Sequence, residues 1–176
     1  DLEIASLVVD SKTGGVLAMV GGKNYEASQF NRATSASRQV ASTIKPLLYY
    51  TAIENGFTPS TKFKSEKTSF ILENGESYSP SNFNDLYANE GIILAKAIAL
   101  SDNIYAVKTH LFLGEQALVN KLNMFGYKNI SPHPSLALGT LNTNMYDFSN
   151  VYTTLANSGV YNQTHSITRI TTKDHV

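Results

Sequence analysis

The chain has 176 residues, 42% of them hydrophobic and 16% charged, enough apolar material for a sizeable core and too ordered a composition for an unfolded chain. Its 14 basic and 14 acidic residues cancel, which leaves no cationic surplus for nucleic acid or an acidic membrane surface. There is no cysteine, so disulfides and thiolate metal sites are excluded, and no apolar run approaches the roughly 20 residues that span a bilayer.

No signal peptide is visible, and the first residues already read as a strand, so the sequence reads as a piece of something longer. Ile4 to Val9 is apolar and β-branched, Ser11 to Gly15 is turn-like, and Val16 to Val20 is apolar again, which predicts a β-hairpin. Residues 23 to 40 are polar and read as an irregular approach loop. A helix is expected from Ser42 or Thr43, either of which can cap it. Pro46 is tolerated in a first turn, Leu47, Leu48, Tyr50 and Ile53 make an apolar stripe, and Gly56 is a stop. Residues 57 to 90 read as loop-rich. Ile92 to Leu100 reads as an apolar helix, broken by Ser101-Asp102-Asn103, three residues that favour turns and caps. Ile104 to Leu113, Glu115 to Phe125 and Met145 to Asn157 read as further helices, with Gly114, Gly126 and Gly159 between or after them. Val160 to Thr171 alternates and reads as the start of a strand. A hairpin, a run of helices and a returning strand make an α+β fold, a sheet packed against a helical lobe, within one domain over residues 1–176.

Ser42-Thr43-Ile44-Lys45 carries the chemistry. Residues three apart share a helix face, with Cβ atoms about 5–6 Å apart, so Lys45 is expected to reach the Ser42 hydroxyl and take its proton. A helix N-terminus and shielding from water both favour the neutral amine that a base must be, against an ordinary pKa of about 10.4. Ser101-x-Asn103 follows later in the chain. Alone, each pattern is weak: a serine beside a lysine is commonly a cap and a surface residue, and Ser-Asp-Asn is commonly a solvated turn.

Together these motifs and their flanks resemble class A penicillin-binding protein transpeptidase domains. Asp10 to Gly22 resembles that family's first hairpin. Asn31-Arg-Ala33, Arg38-Gln39 and Ser42-Thr-Ile-Lys-Pro46 resemble its nucleophile segment. Pro80-Ser-Asn-Phe83, Gly91-Ile-Ile93 and Ala99-Leu-Ser-Asp-Asn103 resemble its second segment, and Leu136 to Thr140 with Tyr152 to Gly159 resemble the helical stretch after it. The likeness runs from about residue 4 to 170. It implies a β-lactamase/transpeptidase-like fold and a role for each matched position. Ser42 attacks the penultimate D-Ala carbonyl of a peptidoglycan stem peptide ending in D-Ala-D-Ala. Lys45 takes its proton, Ser101 passes a proton to the leaving D-Ala, and Asn103 binds the substrate amide and Lys45. The Ser42 N–H forms half of an oxyanion hole, a donor arrangement worth roughly 3–4 kcal/mol in comparable hydrolases. An amine from a second stem peptide then completes a cross-link, and β-lactam antibiotics trap Ser42. No cofactor or metal and no nucleic acid is implied. The implied location is the outer face of the bacterial cell membrane, held there by an anchor outside this chain.

Two departures stand out. The family has Pro-Gly before the serine, whereas this chain has Val40-Ala41. Its third motif, Lys-Thr-Gly, comes after Ser-x-Asn on a cleft-edge strand, whereas Lys12-Thr13-Gly14 precedes Ser42 in the expected hairpin turn. The chain is therefore expected to be the N-terminal portion of a transpeptidase domain. It should be inactive alone and require the C-terminal remainder as continuing or separate chain. A serine β-lactamase is the competing enzyme, but class A members need a Glu in the region that here is Leu136 to Leu141, which has none. A non-catalytic penicillin-sensing module is the third reading. Asp102 reads as structural. His110, His133, His165 and His175 are scattered without ligand spacing and read as surface or loop residues; Tyr49 and Tyr50 read as core or cleft lining.

Overall fold

The structure, a computed structural model, describes residues 2–72 and 74–171. In chain order its elements are strands β1 (Ser6–Val9) and β2 (Val16–Val20), helix α1 (Arg32–Ser35), strand β3 (Arg38–Gln39) and helix α2 (Lys45–Glu54). Strands β4 (Lys62–Ser65), β5 (Phe70–Ile71), β6 (Ser77–Tyr78) and β7 (Glu90–Ile93) come next. Helices α3 (Leu94–Leu100), α4 (Asn103–Leu113) and α5 (Glu115–Met124), strand β8 (Asn142–Thr143) and helix α6 (Met145–Ala156) complete the order. Helices and antiparallel strand pairs are mixed, as an α+β fold requires. The residues divide into two compact units, one running to Arg38 and resuming at Asn142, the other Gln39–Leu141.

In the first unit β1 and β2 pair antiparallel, with Ser6 opposite Val20 and an irregularity between Val8 and Val9. The turn between them is held by Asp10, whose Oδ1 accepts from Lys12 N at 2.7 Å. Gly14 (φ +80°) closes it where a Cβ would overlap the Gln163 backbone. Helix α6 is amphipathic, with Phe148, Val151 and Thr154 buried, and packs on β1 and α1. Its Asn144 cap accepts from Asp147 N at 2.7 Å. The expected strand over 160–171 does not form. Only His165 bridges to Gly15, because the neighbouring backbone is bonded to side chains instead, as at Thr164 N to Asn150 Oδ1, 2.8 Å.

In the second unit α4 is the central helix. Ile104, Tyr105, Ala106, Val107, Thr109 and His110 are all buried, and a helix apolar on nearly every side belongs in a core. α2 lays Leu47, Leu48, Thr51 and Ala52 against it, and α5 adds Leu118 and Leu122. Each large apolar side chain buried here stabilises by about 1.5–3 kcal/mol. Beside this core Phe63 meets Tyr105 edge-on and Phe57 at a tilt.

Several boundaries differ from the sequence expectation. Residues 23–40 contain α1, capped by Asn31 accepting from Ala33 N at 3.0 Å. The stretch 57–90 holds β4, the β5–β6 hairpin and the start of β7. β4 pairs antiparallel with β7, so Ile92 and Ile93 lie opposite Phe63 and Lys62, and α3 begins only at Leu94. Four-residue strands whose partners lie this far along the chain leave little local periodicity to read. His110 is fully buried in α4 rather than on the surface; His175 lies outside the described residues.

Candidate active site

The segment bearing Ser42 does not begin as an α-helix. Ala41–Ile44 forms a 3-10 turn that leads into α2 at Lys45, and neither Ser42 nor Thr43 caps it. Thr43 Oγ1 instead donates to Val40 O within the turn. Pro46 sits in the first turn of α2, where its missing N–H costs nothing. The turn is tied down from outside: Val40 N donates to Leu141 O and Ala41 N to Gly139 O, both at 3.0 Å. Ala41 has φ +49°, a left-handed conformation that costs an L residue about 1–2 kcal/mol. This is the position where the resembling family has glycine. Gly139 (φ +80°) crosses so close that a Cβ on it would fall within 2.5 Å of Ala41 C and N and closer still to its oxygen.

The Ser101-Asp102-Asn103 break is built from two helix ends back to back. Ser101 closes α3 in the left-handed conformation (φ +51°), with Ser101 N donating to Ile98 O at 3.1 Å and Asp102 N to Ala97 O at 3.0 Å. That is a Schellman cap with serine where glycine is usual. Asp102 then caps α4 at once, Oδ1 accepting from Tyr105 N at 2.7 Å. No residue is left over to form a loop, so Ser101 and Asn103 flank a single sharp corner.

Lys45 meets that corner. Its Nζ donates to Ser101 O (2.7 Å), Ser101 Oγ (3.0 Å) and Asn103 Oδ1 (2.6 Å), joining residues 56 and 58 positions apart. Three acceptors match the three protons of an ammonium. The residue is only 3% exposed, and burial lowers the amine to about 8, with the negative charge of Asp102 pulling the other way. Ser42 is exposed. The direct Lys45–Ser42 hydrogen bond expected from helical spacing is not made; the Lys45 amine donates to Ser101 and Asn103 instead. The structure thus brings Lys45, Ser101 and Asn103 into contact, with Ser42 one 3-10 turn before Lys45.

Beneath the corner lies a buried polar group centred on Asp102, which the sequence marks as structural, with Ser65 and Asn82, to which it gives no role. Ser65 Oγ donates to Asp102 Oδ2, and Asn82 Nδ2 donates to the same oxygen at 2.8 Å. Asn82 belongs to the Pro80-Ser-Asn-Phe83 stretch singled out by resemblance. Its only sequence signal is a polar residue between Pro and Phe, which does not distinguish a buried carboxamide from an exposed one. Lys12-Thr13-Gly14 lies in the β1–β2 turn, in the other compact unit. Among the described residues there is no cluster of three or more potential metal ligands, and no helix is long and apolar enough to cross a membrane.

Comparison with known proteins identifies the family. The family described as penicillin binding protein transpeptidase domain matches residues 4–176. Penicillin-binding protein 2D of Bacillus subtilis is 52% identical over 173 residues, which is 97% of this chain and 25% of that protein. Penicillin-binding protein 1A of Aquifex aeolicus is 37% identical, over 90% of this chain and 22% of its own length. The crystal structure of penicillin-binding protein 1A from Haemophilus influenzae superimposes with a TM-score of 0.81 at 31% identity, covering 88% of this chain and 23% of that one. The PonA1 protein of Mycobacterium tuberculosis, solved with penicillin V, shares the fold with a TM-score of 0.74 at 24% identity. This chain belongs to the penicillin-binding protein transpeptidase domain family. It spans about a quarter of the length of these curated relatives.

Proposed function

We propose that this chain carries the nucleophile-bearing part of a D,D-transpeptidase that cross-links peptidoglycan stem peptides and is acylated by β-lactams. The observation that carries this reading is the Lys45 amine held between Ser101 and Asn103 with its pKa brought down to about 8. At pH 7 that makes the neutral amine roughly 300-fold more abundant than at the ordinary lysine pKa of 10.5.

Neutral Lys45 accepts the Ser42 proton as Oγ attacks the penultimate D-Ala carbonyl. The Ser42 N–H, in a first helical turn where amides lack intrahelical partners, faces the developing oxyanion. As the tetrahedral intermediate collapses, the C–N bond breaks. Ser101 Oγ donates its proton to the departing D-Ala amine and is reprotonated by Lys45, 3.0 Å away. Asn103 holds the substrate amide. An amine of a second stem peptide then attacks the Ser42 ester, giving up a proton and returning Oγ–H. A β-lactam follows the first half, and its ring nitrogen takes the proton but stays tethered.

The lack of a deacylating base supports a transpeptidase over a β-lactamase. Leu136 to Leu141 packs beside Ala41 through Gly139 and carries no carboxylate to activate water. We further propose that residues 1–176 work with a Lys-Thr-Gly-bearing strand outside this sequence, on the outer face of the membrane. The experiment is covalent labelling by fluorescent penicillin of the domain that includes this sequence. Wild type labels and holds the label for hours; Ser42→Ala does not label. Labelling of Ser42→Ala, or rapid penicillin turnover by wild type, overturns the proposal.

A further inference from the structure

We infer that Asn82 is the positioning residue that orients the Asn103 carboxamide and, through it, the Lys45 amine. The inference rests on the transpeptidase reading and adds to it a residue outside both motifs.

The Asn82 carboxamide is fully used. Its Oδ1 accepts from Asn103 N (2.7 Å) and Ile104 N (3.3 Å), the amides that open α4. Its Nδ2 donates to Asp102 Oδ2 (2.8 Å) and Leu86 O (3.0 Å). One side chain therefore ties the corner to its own loop. Its neighbour makes the second link: Ser81 O accepts from Asn103 Nδ2 at 2.7 Å. With its NH2 committed to that carbonyl, Asn103 must turn Oδ1 toward Lys45 Nζ, 2.6 Å away. The flipped amide would set its NH2 against an ammonium and its oxygen against a carbonyl, two repulsive contacts.

Little else holds the Ser81 carbonyl in place. Pro80 and Asn82 are buried, but Ser81 and the four residues from Phe83 to Leu86 are exposed. Asn84 and Asp85 have positive φ within a short 3-10 turn over Phe83–Asp85, which is itself closed on Asn82 by Asp85 N donating to Asn82 O at 3.0 Å. Asn82 is thus the pin on which the orientation of Asn103 depends.

Asn82→Asp gives the sharpest test because it changes one atom group. The introduced carboxyl meets Asp102 where Nδ2 stood. Two carboxylates so close share a proton, and only the protonated form restores the donor. Lys45 and Tyr49 of α2, Lys96 of α3, Tyr105 of α4 and Asp85 and Tyr87 of the loop are the other titratable groups near this cluster. The acylation rate constant at saturating penicillin, the apparent binding constant and the thermal midpoint are measured from pH 5.5 to 9 in the domain containing this chain.

The rate constant of Asn82→Asp, relative to wild type, should fall at least tenfold as pH rises, with binding changed far less. Asn82→Ala should be slow by tenfold or more at every pH. Phe83→Ala, an exposed neighbour, should match wild type. A pH-independent ratio for Asn82→Asp, or folded Asn82 variants acylating at the wild-type rate, overturns the inference. So does failure of Asn82→Asp to fold at pH 5.5, where the acid form keeps the acceptor for Asn103 N and one donor for Asp102, losing the bond to Leu86 O. Absence of labelling in wild type would instead overturn the transpeptidase reading itself.

Discussion

Gly139→Ala tests whether the crossing behind the Ala41–Ile44 turn sets the position of Ser42. Gly139 has φ +80°, so any side chain there carries a left-handed penalty of about 1–2 kcal/mol. The new methyl would also overlap the Ala41 carbonyl, and the atoms it meets are backbone and cannot rotate aside. Relief requires the Ala41 peptide to withdraw. That breaks Ala41 N to Gly139 O and strains Val40 N to Leu141 O, each worth about 0.5–1.5 kcal/mol net. The total is about 2–5 kcal/mol of stability, a melting-temperature loss on the order of 10 °C for a protein of this size. The Ser42 Oγ, one residue on, moves with the peptide, and displacement of a reacting group by about 1 Å costs on the order of 100-fold in rate. Stopped-flow acylation by penicillin at 20 °C, below the variant's melting range, separates the two effects. Acylation within threefold of wild type together with a melting point within 2 °C would refute the reasoning.

The acylation rate of wild type should climb with pH and level off above about 8, because the neutral Lys45 amine grows through its lowered pKa; a flat profile from pH 6 to 9 would show that another group limits the step. Buried His110, whose pKa is pushed down to about 4, makes the fold acid-sensitive. The unfolded chain binds a proton below about 6.5 that the folded chain refuses, so stability is whole above 6.5 and falls as pH drops toward 4, by up to about 3 kcal/mol. Denaturant titrations of His110→Gln should show a shallower loss over that window, and an unchanged slope would exclude His110 as the cause.

The helices were legible because their signals are local. The Leu47, Leu48, Tyr50, Ile53 stripe with Gly56 after it located α2, although Tyr50 and Ile53 are exposed and Tyr49, Thr51 and Ala52 are buried instead, and Gly114 and Gly126 bracket α5. The Ser101 break was legible from three turn-forming residues between apolar runs. β4 and β7 were not, since Lys62 to Ser65 alternates over only four positions and acquires strand character from a partner far along the chain. The 3-10 form of the Ala41–Ile44 turn was hidden as well. Val40-Ala41-Ser42-Thr43 contains good caps, and only the crossing by Gly139 drives Ala41 into a conformation its sequence disfavours. Of the four residues named by resemblance, Lys45, Ser101 and Asn103 meet in the structure. The underpinning of the site by Ser65 and Asn82 was not legible, because burial of a polar side chain depends on what folds over it.

The Lys45 amine finds its partners more than fifty residues downstream. A chain whose helices had formed but not docked would hold a well-hydrated lysine with an ordinary pKa, and its serine would be inert. On the proposed function, reactivity toward an acylating drug is then a count of natively assembled molecules. Loss of such labelling in a mutant can report misassembly as readily as missing chemistry, and titrating active sites doubles as an assay of folding yield.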